Sequence, residues 1–248
     1  MALREIGGEG VLLAGGGRAI LLQLANPAVG HAVAEHSNFA ADPLRRLRNT
    51  LTFVYALVFG TPQQIARVTA MVNHAHVPVR SAEYDANDSN LQLWVAATLY
   101  DTAVQVHELV LGPLSETEAD DVYREYAVVG TALGMPPQSW PVDRAAFRVY
   151  WDDQVAGLVA DDRVRAVSRQ LLYPATGPLW MRAAMPLVRV VTSGLLPAGV
   201  RQAYGFAWTP ADERRYDRTM RIAAAVYPRL PRRIRYWPRD YLLRKLGR

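Results

Sequence analysis

Four times in this chain a side chain able to cap a helix is followed at once by proline: Asn26-Pro27, Asp42-Pro43, Thr61-Pro62 and Thr209-Pro210. A capping oxygen satisfies a backbone N–H at the start of a helix, and proline suits the first helical position, where its missing N–H is no loss. Reciprocal capping boxes are legible at Thr61 with Gln64, Ser89 with Gln92 and Ser115 with Glu118. Between these starts the apolar residues recur at helical spacing, and no sustained period-two run bounded by turn residues occurs. The pattern predicts an all-α fold with helices over 9–24, 27–36, 43–60, 62–77, 90–111, 116–132, 143–159, 161–172, 179–195, 198–206 and 210–228. The tail beyond Pro231 reads as irregular until Asp240.

Half of the 248 residues are hydrophobic and 21% are charged, which suits a globular chain with a large core. The proline-rich joint around Pro136 and Pro137 reads as a turn, so the chain is taken as one domain over 1–248. Cysteine is absent, which excludes disulfides, thiolate metal sites and a cysteine nucleophile. The first ten residues carry acids and glycines where a secretory signal has a basic region and an apolar run, so a cytoplasmic protein is expected. The segment from Trp180 to Val200 comes nearest to a membrane span but contains Arg182, Arg189 and two prolines.

The formal charge of +5 is unevenly placed: from Asp212 to Arg248 there are twelve cations and four acids. The basic tail 229–248, with Tyr236, Trp237 and Tyr241, offers charge and aromatic contacts to an anionic membrane surface. Specific nucleic-acid binding is not expected, since solvated arginines account for the same composition. The glycines from Gly7 to Gly17 lack the spacing of a dinucleotide-binding turn and no Gly-Lys-Ser/Thr follows, which leaves close backbone packing or a loop. There is neither a Gly-x-Ser-x-Gly elbow nor a His-Glu-x-x-His motif.

One constellation survives. At about 100° per residue, Ile65, Val68, Val72 and His76 share one helix face, and His74 falls on the opposite side. His76 is thus expected to look inward from a last turn that ends before Pro78. Such an imidazole serves either as a hydrogen-bonded core group or as the proximal ligand of a haem iron. In the preceding helix the expected buried stripe is Leu44, Leu47, Leu51, Val54 and Val58. Arg46 and Thr50 lie on its flank beside Phe53 and Leu57, and Arg45 and Asn49 turn outward. Arg46 is either an arginine with a packed stem and a solvated head, or a donor to a carboxylate or developing oxyanion. Thr50 could donate to the same group.

At these residues the chain resembles the MpaB and rubber oxygenase family, of which latex-clearing protein is the best-known branch. The resemblance runs through Gly8-Glu9-Gly10, the segment from Gly17 to Pro27, Glu35-His36-Ser37-Asn38-Phe39, and the segment from Asp42 to Thr50. It continues through Val58-Phe59-Gly60-Thr61, His76 with Val79, and Tyr84-Asp85-Ala86-Asn87-Asp88. Further matches are Leu93-Trp94-Val95, Tyr150-Trp151-Asp152, and Tyr204-Gly205-Phe206 with Trp208. It implies an all-helical domain with a globin-like core, haem b held by a histidine, and dioxygen-dependent cleavage of carbon–carbon double bonds in isoprenoid chains. It assigns His76 as the iron ligand, places Arg46 and Thr50 beside the haem, and makes Glu35 the nearest candidate for a catalytic base. Departures stand at Asn26, Ser81 and Ala96, where the family favours histidine, glycine and histidine, and at Asn49, where the rubber-cleaving branch carries lysine. They leave a proximal ligand available but depart from the rubber-cleaving branch.

The reading is a haem b-dependent oxygenase acting with dioxygen on an apolar, unsaturated, isoprenoid-like substrate. Its rivals are a non-enzymatic haem or lipid carrier, and an interaction or peripheral membrane protein working through the basic tail.

Overall fold

The computed structural model describes residues 2–36, 43–80, 84–174 and 178–246; the side chains of Glu35, His36, Pro43, Leu44 and Arg46 stand outside that description. Every regular element among the described residues is helical, and the one pairing of extended backbone is an isolated bridge between Arg80 and Asp85. The long helices are α2 (Gly16–Ala25), α3 (Pro27–His36), α4 (Pro43–Phe59), α5 (Pro62–His76), α6 (Ser89–Leu111), α7 (Glu116–Tyr126), α9 (Arg144–Ala156), α10 (Asp162–Leu172), α11 (Leu179–Leu195), α13 (Pro210–Val226) and α15 (Trp237–Leu246). Shorter pieces are α1 (Ala2–Gly7), α8 (Val128–Thr131), α12 (Ala198–Ala203) and α14 (Arg232–Arg235). No helix among the described residues is long and apolar enough to cross a membrane.

Helix α6 is the axis of the molecule. It carries apolar or small residues around most of its circumference, which is what a helix packed on several sides requires. Gln92, Leu93, Trp94, Ala96, Ala97, Thr98 and Tyr100 are all buried. Asp88 starts it by accepting from the N–H groups of Asn90 and Leu91 at 2.8 and 3.2 Å. Gly112, at φ +100°, ends it in a conformation that side chains rarely adopt. Around α6 pack the 3₁₀ turn Gly10–Gly15, α2, α8 and α13. Tyr100 meets Tyr123, Tyr126, Trp140 and Phe147 edge to face with centroids 5.0 to 6.0 Å apart.

Arg18 of α2 is 3% exposed and fully engaged. It pairs with Asp101 at 2.6 Å, donates to Thr102 Oγ1 at 2.6 Å and to Leu195 O at 2.9 Å, and lies over the Trp151 ring. The glycines beside it are packing residues: a Cβ at Gly15 would sit 2.3 Å from Thr102 Cγ2, and one at Gly17 would sit 2.2 Å from Thr192 Oγ1.

Several expected boundaries are corrected. The helix expected over 9–24 is a 3₁₀ turn followed by α2, because Gly15, Gly16 and Gly17 favour a break where the backbone closes on α6. The helix expected over 116–132 divides into α7 and α8. The segment 2–7 forms a short helix that buries Leu3 and Ile6. The box expected at Ser89 and Gln92 is replaced by the Asp88 cap, and the Gln92 amide turns instead to Leu133 O. The tail is ordered into α14 and α15 earlier than Asp240, since Tyr236, Leu242 and Leu246 are buried, and α15 packs on α4. The stripe of α4 also differs. Leu47 is 38% exposed, Val58 is buried as expected, and Phe53, Ala56 and Leu57 are buried beside it, so the inward face includes the flank that follows the exposed Thr50. Leu44, Asp42 and Ser81 lie outside the described residues or side chains.

Candidate functional site

Helices α2, α3, α4, α5, α6 and α8 enclose a cavity of about 410 Å³, within the range that takes small ligands. Its wall is mainly apolar, built from side chains such as Leu24, Val33, Phe53, Val68, Val72 and Leu99. The outer part is bordered by the exposed residues Asn49, Thr50, Met71 and Ala75.

Helix α5 presents the one histidine on this wall among the described residues. The capping box at its start is complete: Gln64 N–H donates to Thr61 Oγ1 at 3.3 Å, and Thr61 N–H donates to Gln64 Oε1 at 2.9 Å. From that origin Val68, Met71, Val72, Ala75 and His76 reach the cavity, and His74 is exposed on the other side. His76 is half-buried and its Nδ1 is shielded from solvent. Its carbonyl accepts from Val79 N–H at 2.9 Å, which turns the chain out of the helix, and Val79 O accepts from Ala86 N–H at 3.0 Å. The segment after α5 thus folds back and adds Val79, Tyr84 and Ala86 to the cavity wall.

On α4, Thr50 borders the cavity as its helix face requires, together with Thr52, Phe53 and Asn49, the last exposed as expected but at the cavity's outer edge. Position 46 stands one helical turn before Thr50, and the Arg46 side chain lies outside the described side chains. So does Glu35, in the last turn of α3, whose Ala32 and Val33 line the cavity. The structure therefore brings His76 and Thr50 to one cavity and leaves Arg46 and Glu35 undetermined in side-chain position.

Two glutamines that sequence reasoning did not assign to the site also stand on the wall. Gln23 donates from Nε2 to Thr98 Oγ1 at 2.9 Å, and Thr98 Oγ1 donates to Val95 O at 2.8 Å. Gln92 donates from Nε2 to Leu133 O at 3.3 Å. Gln23 carried no signal beyond its helix, and Gln92 was legible as a capping partner, a local role that hid its place on the inner wall. No group of three or more His, Asp or Glu side chains suited to a metal ion occurs among the described residues.

The basic tail is tied into the body. Arg235 pairs with both oxygens of Glu9, which is 3% exposed, and Tyr227 Oη donates to Glu9 Oε2 at 2.9 Å. Arg239 lies over the rings of Phe59 and Tyr236 and pairs with Asp240 at 2.7 Å.

The family model described as "ER-bound oxygenase mpaB/B'/Rubber oxygenase, catalytic domain" matches residues 3–225. Two curated relatives, uncharacterized proteins of Mycobacterium bovis and Mycobacterium tuberculosis, are each 36% identical over 222 residues, covering 84% of this chain and 87% of the relative. No solved structure matches the chain.

Proposed function

Because this chain belongs to the family of mpaB and rubber oxygenase catalytic domains, we propose that it is a haem b-dependent oxygenase whose substrate is an apolar, unsaturated, isoprenoid-like molecule. The observation that carries this reading is His76, an imidazole with a solvent-shielded Nδ1 on the wall of a mainly apolar cavity of about 410 Å³. A porphyrin brings four nitrogen donors of its own, so a single imidazole would complete the donor set required of the protein, and by its donor chemistry His76 fits the group. Haem b, when bound, supplies the redox and dioxygen chemistry.

The chain's own side chains have four tasks. His76 would hold the iron, with its direction fixed by the capped start of α5 and by the turn at Val79. Thr50 donates to a polar group at the outer part of the cavity, and Arg46, one turn earlier, would offer guanidinium donors to a carboxylate there. The apolar wall from Leu24, Val68, Val72 and Leu99 keeps water from the reacting double bond and receives the hydrocarbon part of the substrate. Glu35 is the candidate to accept a proton from a substrate carbon.

The test is oxygen uptake by the haem-loaded protein with a polyunsaturated isoprenoid and with its fully saturated counterpart. Uptake with the first and none with the second is the expected result. No uptake with any isoprenoid, in a protein that nevertheless holds haem, would leave a carrier on the same scaffold as the better reading.

A further inference from the structure

The cavity wall is mainly apolar, and at one of its polar points, Gln23, the protein leaves an acceptor without a donor among the described residues. Thr98 is fully buried, and its hydroxyl proton is committed to Val95 O at 2.8 Å. Thr98 Oγ1 can therefore only accept, so Gln23 must face it with Nε2, as the 2.9 Å contact shows. This relay fixes the amide's orientation without reference to electron density. Gln23 Oε1 is consequently turned away from Thr98, and among the described residues nothing donates to it.

Gln92 repeats the arrangement on α6. A backbone carbonyl, Leu133 O, takes its nitrogen at 3.3 Å, which again rules out the flipped amide. Its Oε1 has no partner among the described residues although Gln92 is only 6% exposed. Both glutamines line the cavity. Each turns its donor to the protein; the Gln92 oxygen is closed off by its neighbours, whereas Gln23 gives the wall the character of an acceptor.

We propose that Gln23 is a specificity-determining residue whose Oε1 accepts a hydrogen bond from the ligand, and that the ligand is an unsaturated apolar chain bearing a hydroxyl. The proposal deepens the oxygenase reading by naming the substrate class. A bare hydrocarbon displaces water from the Gln23 amide oxygen and leaves it unpaired, and a carboxylate placed against Gln23 sets acceptor against acceptor. An alcohol offers the Gln23 oxygen the donor it lacks. A site built to bond a hydroxyl discriminates against the analogue without one far more strongly than an apolar pocket discriminates by shape.

The experiment measures the affinity of the purified full chain for three probes of equal chain length by intrinsic tryptophan fluorescence: a polyunsaturated isoprenoid alcohol, its methyl ether and its hydrocarbon. The ether keeps the oxygen and loses the donor. The expected result is that the alcohol binds about tenfold more tightly than the other two, and that Gln23→Met removes the preference while circular dichroism shows an unchanged fold. Equal affinity for alcohol and ether in the wild type, a preference that survives in Gln23→Met, or no binding of any probe would overturn the proposal. Should Gln23→Met fail to fold, the wild-type comparison of alcohol with ether decides. Because the readout needs no turnover, a protein that prefers the alcohol but binds no haem defeats the oxygenase reading alone, and a haem protein indifferent to the hydroxyl defeats this one alone.

Discussion

Arg18 shows how a single residue can be read for the wrong property. In a chain whose Lys and Arg number 28, one arginine among many carries no signal in the sequence. In the structure it joins three helices: α2 holds it, α6 supplies Asp101 and Thr102, and α11 supplies the carbonyl of Leu195. Desolvation opposes its charge and Asp101 restores it. Removing one partner of such a pair leaves the other charge buried and uncompensated, which costs far more than the pair itself contributes. Arg18→Met should therefore lower the unfolding free energy by about 3 kcal/mol, seen as a fall in the urea midpoint with an unchanged slope. A change under about 0.5 kcal/mol would mean that Arg148, 4.0 Å from Asp101, takes over the charge.

At the scale of elements, the start of α6 separates a sequence reading from the structure. Ser89 with Gln92 satisfies the capping-box pattern, yet Asp88 makes the cap and Gln92 points to Leu133 O. Asp88→Ala should cost about 1 kcal/mol in thermal unfolding, and Ser89→Ala almost nothing; the reverse order would restore the box at Ser89. Elements of this kind were otherwise well legible. Capping chemistry is local, so the starts of α5, α7 and α13 followed directly from Thr61, Ser115 and Thr209. The helical phase that turns His76 inward is equally local. What sequence could not supply was tertiary: the rotation of α4 that exposes Leu47 and brings Asn49 to the cavity, and the break before α2 where glycines admit the backbone to α6. Gln23 and Gln92 were hidden for the same reason, since a polar residue on a buried face declares its role only when its partners are known.

For the whole molecule the tail is the instructive part. Read as composition, 229–248 is a run of cations free to meet a surface. Folded, it returns to the first residues of the chain, where Arg235 neutralises Glu9, and its last helix covers α4 with Leu242 and Leu246. Arg235→Ala leaves that carboxylate buried without its cation. It should reduce stability by about 2 to 4 kcal/mol, with a lower melting temperature measured by calorimetry. A melting temperature unchanged within a degree would show that the clasp contributes nothing. Because α4 also borders the cavity, the tail supports the site from behind.

Haem binding by this chain turns on His76, and the absorption spectrum of the haem-loaded protein tests that role most directly. A Soret band is expected in the wild type and in His74→Ala, with the position and intensity of the band lost or strongly altered in His76→Ala. A spectrum indifferent to His76, or one that changes with His74 instead, would contradict the assignment of this imidazole as the group that holds the iron.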